Sequence, residues 1–319
     1  SSGFSNILVN QGEISNKGLE ISIDTELLST NDFNLTFGGN IGFNKTKITN
    51  LAAQPLDEFY IDGIAEERRF YFGAQVTRGN IFRYPANVFV EGEETSLFYG
   101  LETDGIYQTG DVLPDVFGSS AVPGDVKIVD QNGDGIIDLN DRTFIGNPNP
   151  DFIYGFNFNI NYKRFNASIL FNGVFGNDIA NGNLLQLNNA EGLTYLNISP
   201  DAYYNAWRPG NAGEIIYNEY PRIGYTTNGQ PAMTDRIIED GSYLRLSNLT
   251  VSYDFDVSNS SALSSLKLFV AGQNLLTFTN YSGYDPEISS FLYNGLINGV
   301  DWNGRANART FILGLNVGF

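Results

Sequence analysis

The stretch Phe152-Ile153-Tyr154-Gly155-Phe156-Asn157-Phe158-Asn159-Ile160-Asn161-Tyr162 is followed, after Lys163-Arg164, by Phe165-Asn166-Ala167-Ser168-Ile169-Leu170-Phe171-Asn172-Gly173-Val174-Phe175. Successive side chains of an extended chain point to opposite faces, so Phe152, Tyr154, Phe156, Phe158, Ile160 and Tyr162 share one face. Ile153, Gly155, Asn157, Asn159 and Asn161 occupy the other, and neither face carries a charge. The two residues between the runs make a tight hairpin.

The same period recurs along the chain. Phe33, Leu35, Phe37, Ile41 and Phe43 share a face opposite Asn34, Thr36, Gly38, Asn40, Gly42 and Asn44. At the end, Phe311, Leu313, Leu315, Val317 and Phe319 alternate with Ile312, Gly314, Asn316 and Gly318. Further strands are expected at 17–28, 243–255 and 266–278, with weaker ones near 68–76 and 96–108, for roughly eight to ten in all. Strands of about ten or more residues exceed the usual five or six.

The composition narrows the function. Of 319 residues, 18 are basic and 36 acidic, a net charge of −18. A protein that holds nucleic acid or an anionic membrane surface presents clustered Lys and Arg to neutralise phosphates, and with acids outnumbering bases two to one the overall charge excludes a polyanion binder. There is no Cys and no His, which removes disulfides, thiol and histidine catalysis and the usual zinc and haem ligands. Any metal must sit on oxygen. Only 17% of residues are charged, while Gly numbers 35 and Asn 38, and aromatics reach 14%. That mixture favours strands and turns over helices.

No apolar run is long enough for a transmembrane helix, and residues 1–20 lack a signal-peptide pattern. Neither fact speaks against a membrane β-barrel, whose strands need one apolar face only. The opening Ser-Ser-Gly-Phe, without Met, reads as the start of a fragment or a processed chain. A soluble sandwich also alternates, but here the strands are long, their second face is Asn, Gly, Ser and Thr, and Tyr and Phe recur near strand ends, as in the aromatic girdles of membrane barrels. The segments 45–95, 109–150, 176–241 and 279–308 hold most of the acids and prolines and read as the long outward loops of such a barrel.

The residues then resemble a family. The stretch Asp235-Arg236-Ile237-Ile238-Glu239-Asp240-Gly241-Ser242-Tyr243-Leu244-Arg245-Leu246 and, further on, Ala271-Gly272-Gln273-Asn274-Leu275-Leu276 through Tyr284-Asp285-Pro286-Glu287 are similar to the C-terminal signature of the SusC/RagA-like TonB-dependent outer-membrane transporters. Asn16-Lys17-Gly18-Leu19-Glu20, Asp104-Gly105-Ile106-Tyr107, Ile145-Gly146-Asn147-Pro148 and Trp207-Arg208-Pro209-Gly210-Asn211 follow in the family's order. The resemblance spans essentially residues 1–319. It implies an all-β fold: the C-terminal portion of a 22-stranded antiparallel transmembrane barrel, without the plug domain.

It also implies partners: the remaining N-terminal barrel and plug polypeptide, a SusD-like surface lipoprotein acting as a lid, the TonB complex through the plug, membrane lipid, and oligosaccharide or peptide cargo. The location implied is the outer membrane of a Gram-negative bacterium, and the activity is import without catalysis. Two other readings stay open: an outer-membrane channel or secretion-associated barrel without import, and an extracellular calcium-stabilised β-sandwich adhesin or lectin.

One segment carries metal chemistry. In Asp130-Gln131-Asn132-Gly133-Asp134-Gly135-Ile136-Ile137-Asp138-Leu139-Asn140-Asp141, oxygen side chains fall at loop positions 1, 3, 5, 9 and 12, and Gly135 sits at position 6. That is the spacing of an EF-hand calcium loop. Asp130, Asn132, Asp134, Asp138, Asp141 and the Ile136 carbonyl are the candidate Ca²⁺ ligands, with Asp141 one methylene shorter than the usual Glu. The alternative is a metal-free turn, since Asn, Asp and Gly dominate turns. No helical pattern flanks the loop.

The neighbouring acids Asp57-Glu58, Glu66-Glu67 and Glu93-Glu94 read as solvated loop charge, because catalytic carboxylates face one another across a cleft. Trp207 with Arg208 is either a cargo-stacking pair or a packing anchor. Asp285-Pro286-Glu287 reads as a turn.

Overall fold

A computed structural model describes residues 12–51, 59–74, 85–188, 197–209, 220–223, 233–259, 261–287, 289–291 and 294–319. Its largest element is one antiparallel sheet of seven strands: β1 (Gly12–Ser29), β2 (Phe33–Leu51), β3 (Phe152–Tyr162), β4 (Phe165–Phe175), β5 (Tyr243–Asp254), β6 (Ser265–Thr279) and β7 (Thr310–Gly318). Each pairs with its neighbour in chain order.

The register converts the period-2 pattern into two continuous faces. Thr25, Phe37, Phe158, Ile169, Leu249, Gly272 and Phe311 lie directly opposite one another from edge to edge. The next row on that face is Leu28, Leu35, Ile160, Ala167, Val251, Val270 and Leu313. On the opposite face, Glu26, Thr36, Asn159, Ser168 and Thr250 form one row, and Asn34, Asn161, Asn166 and Ser252 another. A one-residue slip would place every one of these amides on the apolar side, so the pattern itself fixes the register.

The apolar face has no cover among the described residues. Phe311 and Leu313 are each 74% exposed, and none of the buried apolar clusters includes a residue of this face. A β-sandwich needs a second sheet there, so that reading fails.

Aromatic rows bound the face at both ends. Phe33 meets Tyr162 and Phe165 meets Tyr253 at one end, with ring centroids 6.4 and 4.6 Å apart. At the other end Phe152 lies 5.6 Å from Phe43 and 5.0 Å from Phe175. Ten residues separate Phe33 from Phe43 on β2; at about 3.4 Å per residue and a tilt of about 40°, they rise roughly 26 Å, the height of a lipid-facing apolar band.

Two outcomes differ from the pattern. The strand expected over 17–28 begins at Gly12, and that over 33–43 continues to Leu51, because Asn44–Lys47 pairs on with Ser15–Gly18 although it carries no apolar contrast. The segments near 68–76 and 96–108 do hold strands, at Phe70–Phe72, Leu97–Leu101 and Thr103–Ile106, but these lie outside the seven-stranded wall.

They belong to a folded roof. The connections 52–151, 176–242 and 280–309 all leave the same end of the sheet, whereas 30–32, 163–164 and 255–264 turn at the other. The roof contains a four-stranded sheet in the order Arg142–Gly146, Leu97–Leu101, Asn87–Val90, Phe70–Phe72. One apolar cluster takes Ala86 and Phe98 from the first connection, Ala180, Leu185, Met233 and Ile237 from the second, and Ile297 and Val300 from the third. Polar bonds join the same three parts. The Leu101 amide donates to the Met233 carbonyl at 3.0 Å. Asn87 donates to the Asn298 carbonyl and accepts from its amide, both at 3.0 Å.

Candidate functional site

The polar face of the wall is a field of short hydrogen-bonding side chains. Ser168 donates to Asn159 at 2.9 Å and Asn166 to Asp254 at 2.8 Å, while Asn34 donates to Glu26. Glu20, Asp24 and Glu26 stand on this side of β1, opposite Gly42, Gly38 and Thr36. Such a surface holds water and hydroxyl- or amide-bearing solutes readily and suits the inside of a barrel.

Where this face meets the roof, Arg245 is held by two acids. It lies opposite Asn172 and Thr277, so it projects to the polar side, and only 3% of it is exposed. Its guanidinium donates to Asp285 at 2.5 Å, to Glu287 at 2.6 Å and to Thr277 at 3.1 Å, and it stacks 5.2 Å from the Tyr243 ring centroid. Asp285 also accepts from the Glu287 amide at 2.9 Å and from Asn307 at 2.6 Å. Asp285-Pro286-Glu287 is therefore a turn whose carboxylates grip the wall. Nearby, the buried Tyr281 hydroxyl donates to Asp301 at 2.6 Å, and its pKa is pushed up by burial and by that carboxylate.

The segment 130–141 is closed by its own carboxylates. Asp130 accepts from the amides of Gly133 at 2.7 Å and Gly135 at 2.8 Å. Asp134 accepts from the Ile136 amide at 2.8 Å, and Asn132 from the Asp134 amide at 2.9 Å. Asp138 caps the short 3₁₀ turn Leu139–Asp141 by accepting from Asn140 at 2.7 Å. Asp141, fully buried, joins the two ends, accepting from Gln131 at 3.0 Å and Asp138 at 2.7 Å.

Burial pushes the Asp141 carboxyl above the usual range, and the amide donors pull it back. The turn Asp62-Gly63 packs on this loop; a Cβ at Gly63 would fall 2.5 Å from the Asn132 nitrogen. Among the described residues, no three acidic side chains converge on one point as a metal cage requires. Ile136 pairs, with Ile137, in parallel against Asp115–Val116.

The other acids divide plainly. Asp57 and Glu58 lie outside the described residues. Glu66 and Glu93 both pair with Arg68, at 2.9 and 2.5 Å, Glu94 accepts from Asn147 at 2.9 Å, and Glu67 is exposed. Trp207 is an anchor: its indole donates to Gln108 at 3.1 Å, and a Cβ at Gly124 would fall 2.5 Å from its ring. Arg208 stacks on Tyr203 at 5.4 Å. Residue spacing did not reveal the partners of Arg245, which lie 40 and 42 positions away.

No family model matches the chain. A TonB-dependent receptor of Formosa agariphila is 34% identical over 327 residues, covering 100% of this chain and 30% of its own length. A second from that organism is 29% identical over 326 residues, and the TonB-dependent receptor SusC of Bacteroides thetaiotaomicron is 27% identical over 313, covering 97% of this chain. Over its whole length the chain is similar to TonB-dependent receptors, SusC among them.

It spans about 30% of the length of the curated relatives it matches. The solved RagAB peptide transporter superposes on 100% of this chain and 31% of its own, with a TM-score of 0.71 at 22% identity. The RagAB peptide importer in its 'open-open' state gives a TM-score of 0.70 at 23% identity over 97% of this chain. The seven-stranded sheet is thus a portion of a large antiparallel barrel of the outer-membrane receptor type, consistent with its C-terminal portion.

Proposed function

We propose that this chain supplies part of the wall and part of the outward roof of an importer that takes up oligosaccharides or peptides across the outer membrane. It does so together with a SusD-like lid lipoprotein and with energy delivered by TonB to a plug carried elsewhere in the transporter. The observation that carries the reading is the wall itself: seven strands present one unbroken apolar face and one amide-rich face, with every long connection gathered at one end. An adhesin or an enzyme has no use for a bare apolar face about 26 Å high. The kinship to SusC supports the lid and the polymer-sized cargo. The amide-rich inner face supports a solute recognised through hydroxyl or peptide groups.

The rival within the same fold is a passive channel. Deleting the gene for the whole transporter and measuring uptake of labelled oligosaccharide and peptide pools, with and without TonB, separates the two. Import lost in the deletion strain and equally in a TonB-deficient strain supports the proposal. Uptake that continues without TonB points to the channel.

We also propose, on residue spacing alone, that the 130–141 segment binds Ca²⁺. The arrangement described above is the alternative, a self-closed turn, and calcium binding requires the carboxylates of Asp130, Asp134, Asp138 and Asp141, now turned to backbone amides, to converge on the ion.

A further inference from the structure

The basic charges of β1 and β2 are gathered on one face. Lys17, Lys45 and Lys47 stand on the outward face, in the same alternation as Leu19 and Phe43, and they are three of the chain's six lysines. Glu20, Asp24 and Glu26 stand on the inward face, and Glu13, at the far end of β1, shares the outward one. Lys17 lies directly opposite Lys45, and Lys47 is two residues further along the same face, opposite Ser15. All three are exposed, and no carboxylate lies within salt-bridge distance of any of them among the described residues. Like charges set directly across a strand pair destabilise it, and Lys17 meets Lys45 in this way; Glu13 is the one carboxylate that β1 and β2 carry on this face, so three lysines leave an excess of two positive charges for an anion from outside.

The height of the cluster says which anion. Phe43 belongs to the aromatic row that closes the apolar band on the long-connection side. Lys45 is the next outward-facing residue, about 7 Å further along the strand, and Lys47 about 14 Å. Long connections mark the cell-surface side of a membrane barrel. The lysines therefore sit at headgroup level in the outer leaflet, with their alkyl stems over apolar surface and their amines in the polar layer.

We propose that Lys17, Lys45 and Lys47 form a site for the phosphorylated headgroup of an outer-leaflet lipid. This rests on the membrane-barrel reading and adds to it a lipid ligand outside the cargo path.

The test uses the whole transporter in detergent, wild type and K17Q/K45Q/K47Q, titrated with diphosphorylated lipid A and with its dephosphorylated form. A lysine near a charged headgroup contributes about fivefold, so the triple variant is expected to bind the phosphorylated lipid about 100-fold more weakly. Neither protein is expected to favour the dephosphorylated lipid, and K163Q, at the opposite end of the wall, is expected to bind as wild type. Equal affinity of wild type and triple variant overturns the site, as does equal affinity for the two lipids. Displacement of the lipid by millimolar inorganic phosphate overturns the lipid assignment in favour of a free anion. Membrane fractionation separates the two levels: a transporter that fails to enter membranes sinks the barrel and this site together, whereas an inserted barrel with unaltered lipid affinity sinks the site alone.

Discussion

Arg245 shows how one side chain ties the wall to the roof. Its guanidinium and the Asp285 carboxylate are both nearly inaccessible to water, so removing the cation leaves an uncompensated buried charge. Arg245→Ala is expected to destabilise the folded protein by about 3–5 kcal/mol. Glu287→Gln, on the half-exposed partner, is expected to cost less than about 1 kcal/mol. The temperature at which the barrel loses its resistance to denaturation in detergent measures both, and equal effects would contradict this ranking.

Asp178 makes a prediction about pH. Burial raises its pKa, with Asp240 adding repulsion, while the Asn147 amide donates to it at 2.7 Å. Since the folded form holds the proton more tightly than the unfolded one, its contribution to stability is full below the unfolded pKa and is lost as pH rises through the raised folded value. Asp178→Asn should therefore flatten part of the stability gain between neutral pH and pH 4, read by hydrogen exchange at residues 178–181. The pairing of Arg245 with Asp285 was invisible in the sequence because its members are 40 residues apart and each, taken alone, resembles ordinary strand or turn chemistry.

At the scale of elements, the wall was legible and the roof was not. β3 and β4 matched the alternation to the residue, since an apolar face against an amide face is a strong period-2 signal. Beyond Phe43 the signal fades, because Lys, Asn and Thr give no contrast, yet the ladder runs on to Leu51. The roof strands are two to five residues long and in places buried throughout, as at Leu97–Leu101, which erases alternation.

Within the wall, aromatic rings lie over glycines. A Cβ at Gly314 would fall 2.2 Å from the Phe269 ring, so Gly314→Val is expected to displace that ring and cost about 1–3 kcal/mol. A matching Gly318→Ala change should cost less, because only serine hydroxyls and one amide stand near it. The 130–141 loop was legible in its spacing; its closure by Asp141 was not. If calcium binds, millimolar Ca²⁺ raises the thermal midpoint of the roof and the pair of substitutions Asp134→Asn with Asp138→Asn abolishes the increase. An unchanged midpoint leaves the self-closed turn.

For the whole molecule, the decisive property is that stability is divided between two solvents. The wall keeps its apolar side for lipid, and the cores buried from water lie in the roof. Transfer from detergent to buffer is therefore expected to drive association through the wall, measured by light scattering, while the roof keeps its protection against hydrogen exchange. Loss of protection in both at once would show that the roof has no stability of its own.

The cluster shared by three connections has a consequence for grafting between relatives. Phe98, Ile237 and Val300 come from separate stretches but fill one volume. A chimaera that borrows a single stretch inherits mismatched shapes at the centre, whereas one that borrows all three inherits a finished fit. Divergence in this region is thus constrained to proceed in concert, with the residues that meet at the hub transmitted as a unit.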